Sequence, residues 1–311
     1  MGVVQCERLS ILFISQIPPS PPRFGAQARI HGLMSELARR HDLTAVMLVD
    51  EDLDIDECRQ AMSAYCREVV LIRNPHAQDG RTKRLQQLHS LASTHSYERL
   101  RCAVPELRQA VDRILRTHRF DIVNLEFPYL GHLDLRQAPC GQAKPRVIVD
   151  SHEIAYDLAR QFAQRGGTLV RRTYAEINWR KLKREEVGAY RGADGVALCS
   201  VDDERRLLGL LPDQRTVVVP NAADTEFLQP QPTDPASDGR TVVYFGLLST
   251  TPNVDAVTHF VEEIWPAIAE AHPGARLKII GGRAPASLLA LAGPRIELTG
   301  LVPDLRPHLA G

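Results

Sequence analysis

Residues 242–268 read VVYFGLLSTTPNVDAVTHFVEEIWPAI. Val242–Phe245 is a run of β-branched and aromatic residues, Gly246 ends it, and apolar side chains return at helical spacing from Val254 to Ala271. One strand, one glycine turn and one helix form the unit from which parallel sheets with helices on their faces are built. The unit recurs downstream, with strands at Leu277–Ile280 and Ile296–Leu298, a short helix at Ala286–Ala292 and a further helix starting at Asp304. It also recurs upstream. Strands are expected at Leu9–Ile14, Leu43–Leu48, Val69–Ile72, Ile122–Leu125, Val147–Val149, Gly195–Leu198 and Thr216–Val219. Helices are expected at Ala26–Arg40, Ile55–Tyr65, Lys83–Ala92, Pro105–Thr117, Glu153–Arg191 with a break at Gly166-Gly167, and Asp202–Leu208.

Seven strands before residue 228 suffice for one doubly wound Rossmann-like domain. The segment QPQPTDPASDG, 229–239, carries prolines and no apolar periodicity, which marks 229–240 as a linker. A second domain, 241–311, holds only three strands. A sheet that buries both faces usually has more, so this domain reads as incomplete, with a strand edge or face left uncovered.

Lys plus Arg equal Asp plus Glu at 38 each, which gives no global charge for nucleic acid or an anionic membrane. No run of eighteen apolar residues is present to span a bilayer, and the start, MGVVQCERLSILFIS, reads as a first strand rather than a leader. The six cysteines are scattered without a CxxC pair, which suggests free cytosolic thiols and no metal site.

The candidate chemistry lies in the strand-to-helix turns. In SQIPPSPPRFGAQARIHGLMSELARR, 15–40, Gly25 opens a turn and Arg29 follows in the helix, so free N–H groups and positive charge meet at a ligand-binding edge. A plain turn with solvated arginines is the competing reading. In VIVDSHEI, 147–154, Asp150, His152 and Glu153 follow the fifth strand. His152 suits a sugar hydroxyl or phosphate, while a helix cap from Asp150 or Ser151 explains the same residues equally well. In VVVPNAADTEFLQP, 217–230, Asn221 sits in a turn and Phe227 packs as the chain leaves. Gly246 and Asn253, then Gly281 with Arg283, then Gly300, Val302 and Asp304 mark three further turns. The basic stretch 171–186 reads as a solvated helix with Tyr174, Ile177 and Leu182 on its apolar side. The amphipathic piece LQQLHSLASTHSYERL, 85–100, is flanked by Lys83, Arg84, Arg99 and Arg101; contact with an anionic lipid surface is an option, but its amphipathic pattern is too weak to claim it.

Taken in order, PNAADTEFLQP, YFGLLSTTPNVDAV, KIIGG and TGLVPDLRPHLA resemble the successive motifs of retaining GT-B glycosyltransferases of family 4 (group 1). The resemblance spans nearly the whole chain. It implies two Rossmann-like domains with an active site in the cleft, a nucleotide-diphosphate sugar on the C-terminal domain, an acceptor on the N-terminal one, and no metal or cofactor. Gly25, Arg29, Asp150 and Glu153 would serve the donor phosphate and acceptor, and His152 would lie by the transferred sugar as the catalytic residue. Asn221, Gly246, Asn253, Gly281 and Arg283 would serve the nucleotide sugar, with Val302 and Asp304 near the base. Two departures stand out. The sequence LSTTPN, 248–253, lacks the Arg and Lys common after the first C-terminal glycine, and the chain stops before the family's E-x7-E pair.

The implied activity is hexosyl transfer from a UDP-, GDP- or similar nucleotide sugar to a glycan, lipid or other acceptor in polysaccharide or glycoconjugate assembly. The implied location is cytoplasmic, with peripheral contact at the inner membrane face as an option. The alternative, given the absent E-x7-E, is a non-catalytic module that binds a sugar nucleotide or a partner covering the short sheet.

Overall fold

A computed structural model describes residues 7–76, 80–164, 168–229 and 239–309, with Gly80 and Arg81 described by their backbone alone. The expected helix break at Gly166-Gly167, most of the proline-rich linker, and Cys6 lie outside the described residues. The chain divides into two compact units, Met1–Ala222 and Ala223–Gly311.

The first unit runs β1 (Ser10–Ser15), α1 (Gly25–Ala38), β2 (Asp42–Val49), α2 (Ile55–Ser63), β3 (Glu68–Arg73), α3 (Gly80–Ala92), α4 (Tyr97–Cys102), α5 (Pro105–Thr117), β4 (Ile122–Glu126), β5 (Arg146–Ser151), α6 (Ala155–Gln164), α7 (Leu169–Gly192), β6 (Gly195–Leu198), α8 (Val201–Leu208) and β7 (Thr216–Val218). Its strands form one parallel sheet in the order β3-β2-β1-β4-β5-β6-β7. The order reverses between β1 and β4, and the C-terminal ends of strands flanking such a reversal form a ligand crevice. Side-chain alternation divides the core. Leu12, Ile14, Val46 and Leu48 pack on one face with α5 and α7, while Ile11, Phe13, Ala45 and Met47 pack on the other with α1 and α2.

Helix α7 organises the first face through polar side chains. Its buried stripe is Asn178, Leu182, Glu186 and Tyr190, whereas Ile177, expected on the apolar side, is exposed. The reason is capping. Asn178 Oδ1 accepts Tyr97 N–H at the start of α4 (2.9 Å), and Glu186 accepts Ala155 N–H (3.0 Å) and Tyr156 N–H (2.8 Å) at the start of α6. The caps sought in Asp150 or Ser151 are therefore supplied from another helix. Helix α4, missed in the sequence, carries a local signal in Ser96, whose Oγ accepts Arg99 N–H (3.1 Å).

The second unit runs β8 (Thr241–Phe245), α9 (Thr251–His259), a π-helical turn at Phe260–Ile264, α10 (Trp265–Ala271), β9 (Arg276–Ile280), α11 (Ala286–Leu289), β10 (Ile296–Gly300) and α12 (Arg306–Leu309). The sheet is parallel in the order β10-β9-β8. The single helix expected from Val254 to Ala271 is widened in the middle because Pro266 has no N–H to donate and its ring crowds the carbonyl one turn back. Leu248, Val257, Trp265, Leu277, Ile279 and Leu288 form one core. Phe245 and Leu301 remain exposed, at 55% and 59%.

Gly281 is fixed by sterics. A Cβ there would lie 1.9 Å from the Gly246 carbonyl oxygen, because the turns after β8 and β9 meet backbone to backbone. Leu248 N–H donates to Gly282 O (3.2 Å) and Gly281 N–H to Gly300 O (3.0 Å). Replacing Gly281 by Ala forces these turns apart, and we expect a loss of about 2–3 kcal/mol in urea unfolding of the second unit.

Glu186 carries a pH signature. Burial, against the hydrogen bonds it accepts, pushes its carboxyl from 4.5 up to about 7. Its partners are the Tyr190 hydroxyl, which donates to Glu186 Oε1 (2.6 Å), and beyond it Ser151 Oγ, 2.6 Å from Tyr190 Oη and donating to Glu153 O (2.8 Å). The protonated form is favoured in the fold, so its contribution is complete below about 4.5 and fades as pH rises through about 7. Gln at 186 cannot accept both amide bonds; we expect it to cost about 1–3 kcal/mol near pH 5, a gap that narrows toward pH 8 in denaturant titrations.

Candidate active site

In the first unit, four side chains gather where β4, β5 and β7 end. Asp150 is the penultimate residue of β5 and is 3% exposed. Arg29, in the second turn of α1, reaches it with Nη2 donating to Oδ1 at 2.8 Å. The same guanidinium donates through Nη1 to Val219 O (2.7 Å) and Asn221 Oδ1 (3.2 Å). The loop before α1 is held by Gln27, whose Nε2 donates to Pro18 O (2.7 Å) and whose Oε1 accepts Arg23 N–H (2.9 Å). Arg29 thus bridges the ends of β5 and β7 and neutralises Asp150, at a site where an unpaired charge costs several kcal/mol.

Beside this pair lies a second one. Glu126, the last residue of β4, is fully buried, and its Oε2 is 2.9 Å from His152 Nε2. Its Oε1 accepts Asn124 Nδ2 (2.8 Å). Burial, reinforced by Asp150, pushes Glu126 well above the usual carboxyl range. Burial also lowers His152 to about 4. Both shifts favour a protonated Glu126 beside a neutral imidazole. Nδ1 is buried and has no hydrogen-bond partner among the described residues. The Phe127 ring lies 4.1 Å from the imidazole centroid, and Phe127 holds a left-handed backbone at φ 68°. That conformation is uncommon outside glycine and is associated with functional sites. The arrangement is a carboxyl–imidazole pair with no net charge, with Nδ1 as its unpartnered ring nitrogen among the described residues.

The sequence pointed to Arg29, Asp150 and His152 at one edge; it assigned Asn221 to the nucleotide sugar, whereas the structure sets it on Arg29, and it missed Glu126 and Phe127. The signal for Glu126 was a lone acid ending a strand whose other polar residue is Asn124. Glu153 is exposed. Gly25 is the first residue of α1 rather than a turn residue, and a Cβ there would meet nothing within 4 Å, so sterics do not require glycine. Glu126, Asp150 and His152 offer ligand atoms within 4.8 Å of one another, but these atoms are engaged with each other and with the cationic Arg29.

In the second unit, Gly246 heads the turn into α9 and Asn253 Nδ2 donates to Leu247 O (3.0 Å), so this amide braces the turn. Gly281 packs on Gly246 as described, and Arg283 follows at φ 60°. Val302 is half-buried. Asp304 binds Arg306 through N–H (2.9 Å) and the guanidinium (2.8 Å), and that guanidinium stacks 4.1 Å over Phe227, which is itself 52% exposed.

We expect the His152 imidazole to stay neutral from neutral pH down to about 4. Nitrogen-15 NMR of the ring reads this directly; a midpoint near 6.5 would contradict it.

Residues 239–311 match the family described as Glycosyl transferases group 1. No curated protein matches the chain. Among solved structures, sucrose-phosphate synthase from Thermosynechococcus elongatus is similar at TM-score 0.62 and 17% identity, covering 97% of this chain and 73% of that one. TarM is similar at TM-score 0.57 and 8% identity, with coverage of 99% and 80%. The catalytic domain of starch synthase IV from Arabidopsis thaliana, solved with ADP and acarbose, is similar at TM-score 0.52 and 12% identity, with coverage of 98% and 76%. The fold is α/β of the GT-B kind, with a seven-stranded parallel sheet and a second, smaller one.

Proposed function

We propose that this chain is a retaining family 4 glycosyltransferase that moves a hexosyl unit from a nucleotide-diphosphate sugar to a glycan or lipid acceptor, without a metal. The observation that carries the reading is the group 1 match over 239–311, which covers the unit where Gly246 and Gly281 leave bare backbone at successive strand ends. Such turns, followed by the first N–H groups of α9, suit a diphosphate.

The first unit supplies a donor of a different kind. His152 is neutral, so it contributes a ring nitrogen rather than a charge, and that suits a sugar hydroxyl better than a phosphate. Glu126 holds the ring at Nε2, and Nδ1 has no partner among the described residues. Arg29 holds Asp150 and the Asn221 turn in place. The departing diphosphate is served by backbone dipoles on the second unit, since the cationic pair of other family members is replaced by LSTTPN, 248–253.

The test pairs binding with turnover. Thermal unfolding of the 311-residue chain is followed with UDP, GDP, ADP and dTDP, and release of nucleoside diphosphate from the matching sugar nucleotides is then measured. We expect one nucleotide to raise the melting temperature, by about 2.7 kcal/mol of stabilisation at a hundredfold excess over Kd. His152→Ala should leave that shift intact and lower sugar transfer about 10–100-fold. Stabilisation by none of the four nucleotides overturns the reading. Stabilisation with no turnover favours the non-catalytic binding module, and interconversion of a sugar nucleotide without transfer indicates an epimerase.

A further inference from the structure

Helix α3 is built inside out. Its inward positions are polar: Ser90 is buried, Gln86 Oε1 is buried without a partner, and Lys181 Nζ donates to Ser90 O and Ser93 O, both at 2.6 Å. Its leucines face water, with Leu85 68% exposed, Leu88 62% and Leu91 41%. Helix α5 shows the ordinary arrangement, with Leu107, Val111, Ile114 and Leu115 all buried. The start of α7 repeats the anomaly: Leu169 and Val170 are each 79% exposed. The two segments adjoin, because Ser90 Oγ lies 3.3 Å from Tyr174 Oη, one turn beyond Val170.

The charge around these side chains is one-sided. Lys83, Arg84, Arg171 and Arg172 are exposed and form no salt bridge among the described residues. Residues 80–97 and 168–175 contain no Asp or Glu, although the chain as a whole is balanced at 38 of each sign. Exposed leucines bordered mainly by basic side chains, with Glu176 near Arg172 as an acid at the rim, fit a surface that is apolar beneath and anionic at its face. A second copy of the same face would set like charge against like charge, and a protein partner would ordinarily meet a rim of more evenly mixed sign.

We propose that α3 and the first turns of α7 seat the first unit on an anionic lipid bilayer. Leu85, Leu88, Leu169 and Val170 enter the headgroup boundary, and Lys83, Arg84, Arg171 and Arg172 meet lipid phosphates. The proposal does not depend on the donor chemistry above, since it concerns a surface that the site residues do not form.

The 311-residue chain is sedimented with vesicles of phosphatidylcholine alone and of phosphatidylcholine mixed with phosphatidylglycerol. We expect binding to the mixed vesicles only, weakening at about 0.5 M salt. Leu85→Gln with Leu88→Gln, and separately Arg171→Glu with Arg172→Glu, should each reduce it about tenfold or more while the melting temperature is unchanged. Hydrogen exchange on the unsubstituted chain supplies a readout independent of variants: mixed vesicles should slow exchange across α3 and the start of α7. Equal binding to neutral vesicles, unaltered binding by both variants, or protection elsewhere overturns the proposal. So does a lipid-free dimer that the leucine substitutions dissociate.

Discussion

The first unit depends on one guanidinium. Arg29 lies in a space where only 3% of its side chain meets solvent, and there it binds Asp150, the Val219 carbonyl and Asn221. Three elements distant in sequence are fixed by a single planar fork, a role that the flexible point charge of lysine could not fill. The same cation offsets the charge of Asp150: Asp150 raises both Glu126 and His152, and Arg29 lowers both. Because that charge is accounted for, the neighbouring pair can hold one proton between them and remain neutral.

How legible this was in the sequence differs by level. All ten strands could be read, because each is a short run rich in β-branched and other apolar residues set between turn or helix signals. The convergence of Arg29, Asp150 and His152 was partly legible, since each follows a strand end on the same edge. Glu126 was not, because a carboxylate in a strand reads as solvent-facing until the topology puts β4 in the centre of the sheet. The buried stripe of α7 was misread for a related reason. Periodicity assigns apolar residues to the interior, but Asn178 and Glu186 were drawn inside by the unsatisfied N–H groups of α4 and α6.

In the second unit, glycine positions were legible and their cause was not. The sequence suggests open turns awaiting a ligand, whereas the fold shows that Gly281 is required by the neighbouring turn at Gly246. The steric need exists before any ligand arrives, and it brings bare backbone to the strand ends. Asn253 likewise braces the turn with its side chain, leaving the backbone of the helix start as the available donor.

The left-handed Phe127 has a consequence for the imidazole. Along a regular strand, adjacent side chains leave opposite faces of the sheet and cannot meet on a common target. Reversing the sign of φ at 127 turns two neighbours in sequence into a clamp: Glu126 holds the ring at Nε2 while the Phe127 ring lies against it, tilted by 39°. Rotation and tilt of the heterocycle are thus restricted by the fold itself, so the entropy of fixing the ring is spent during folding.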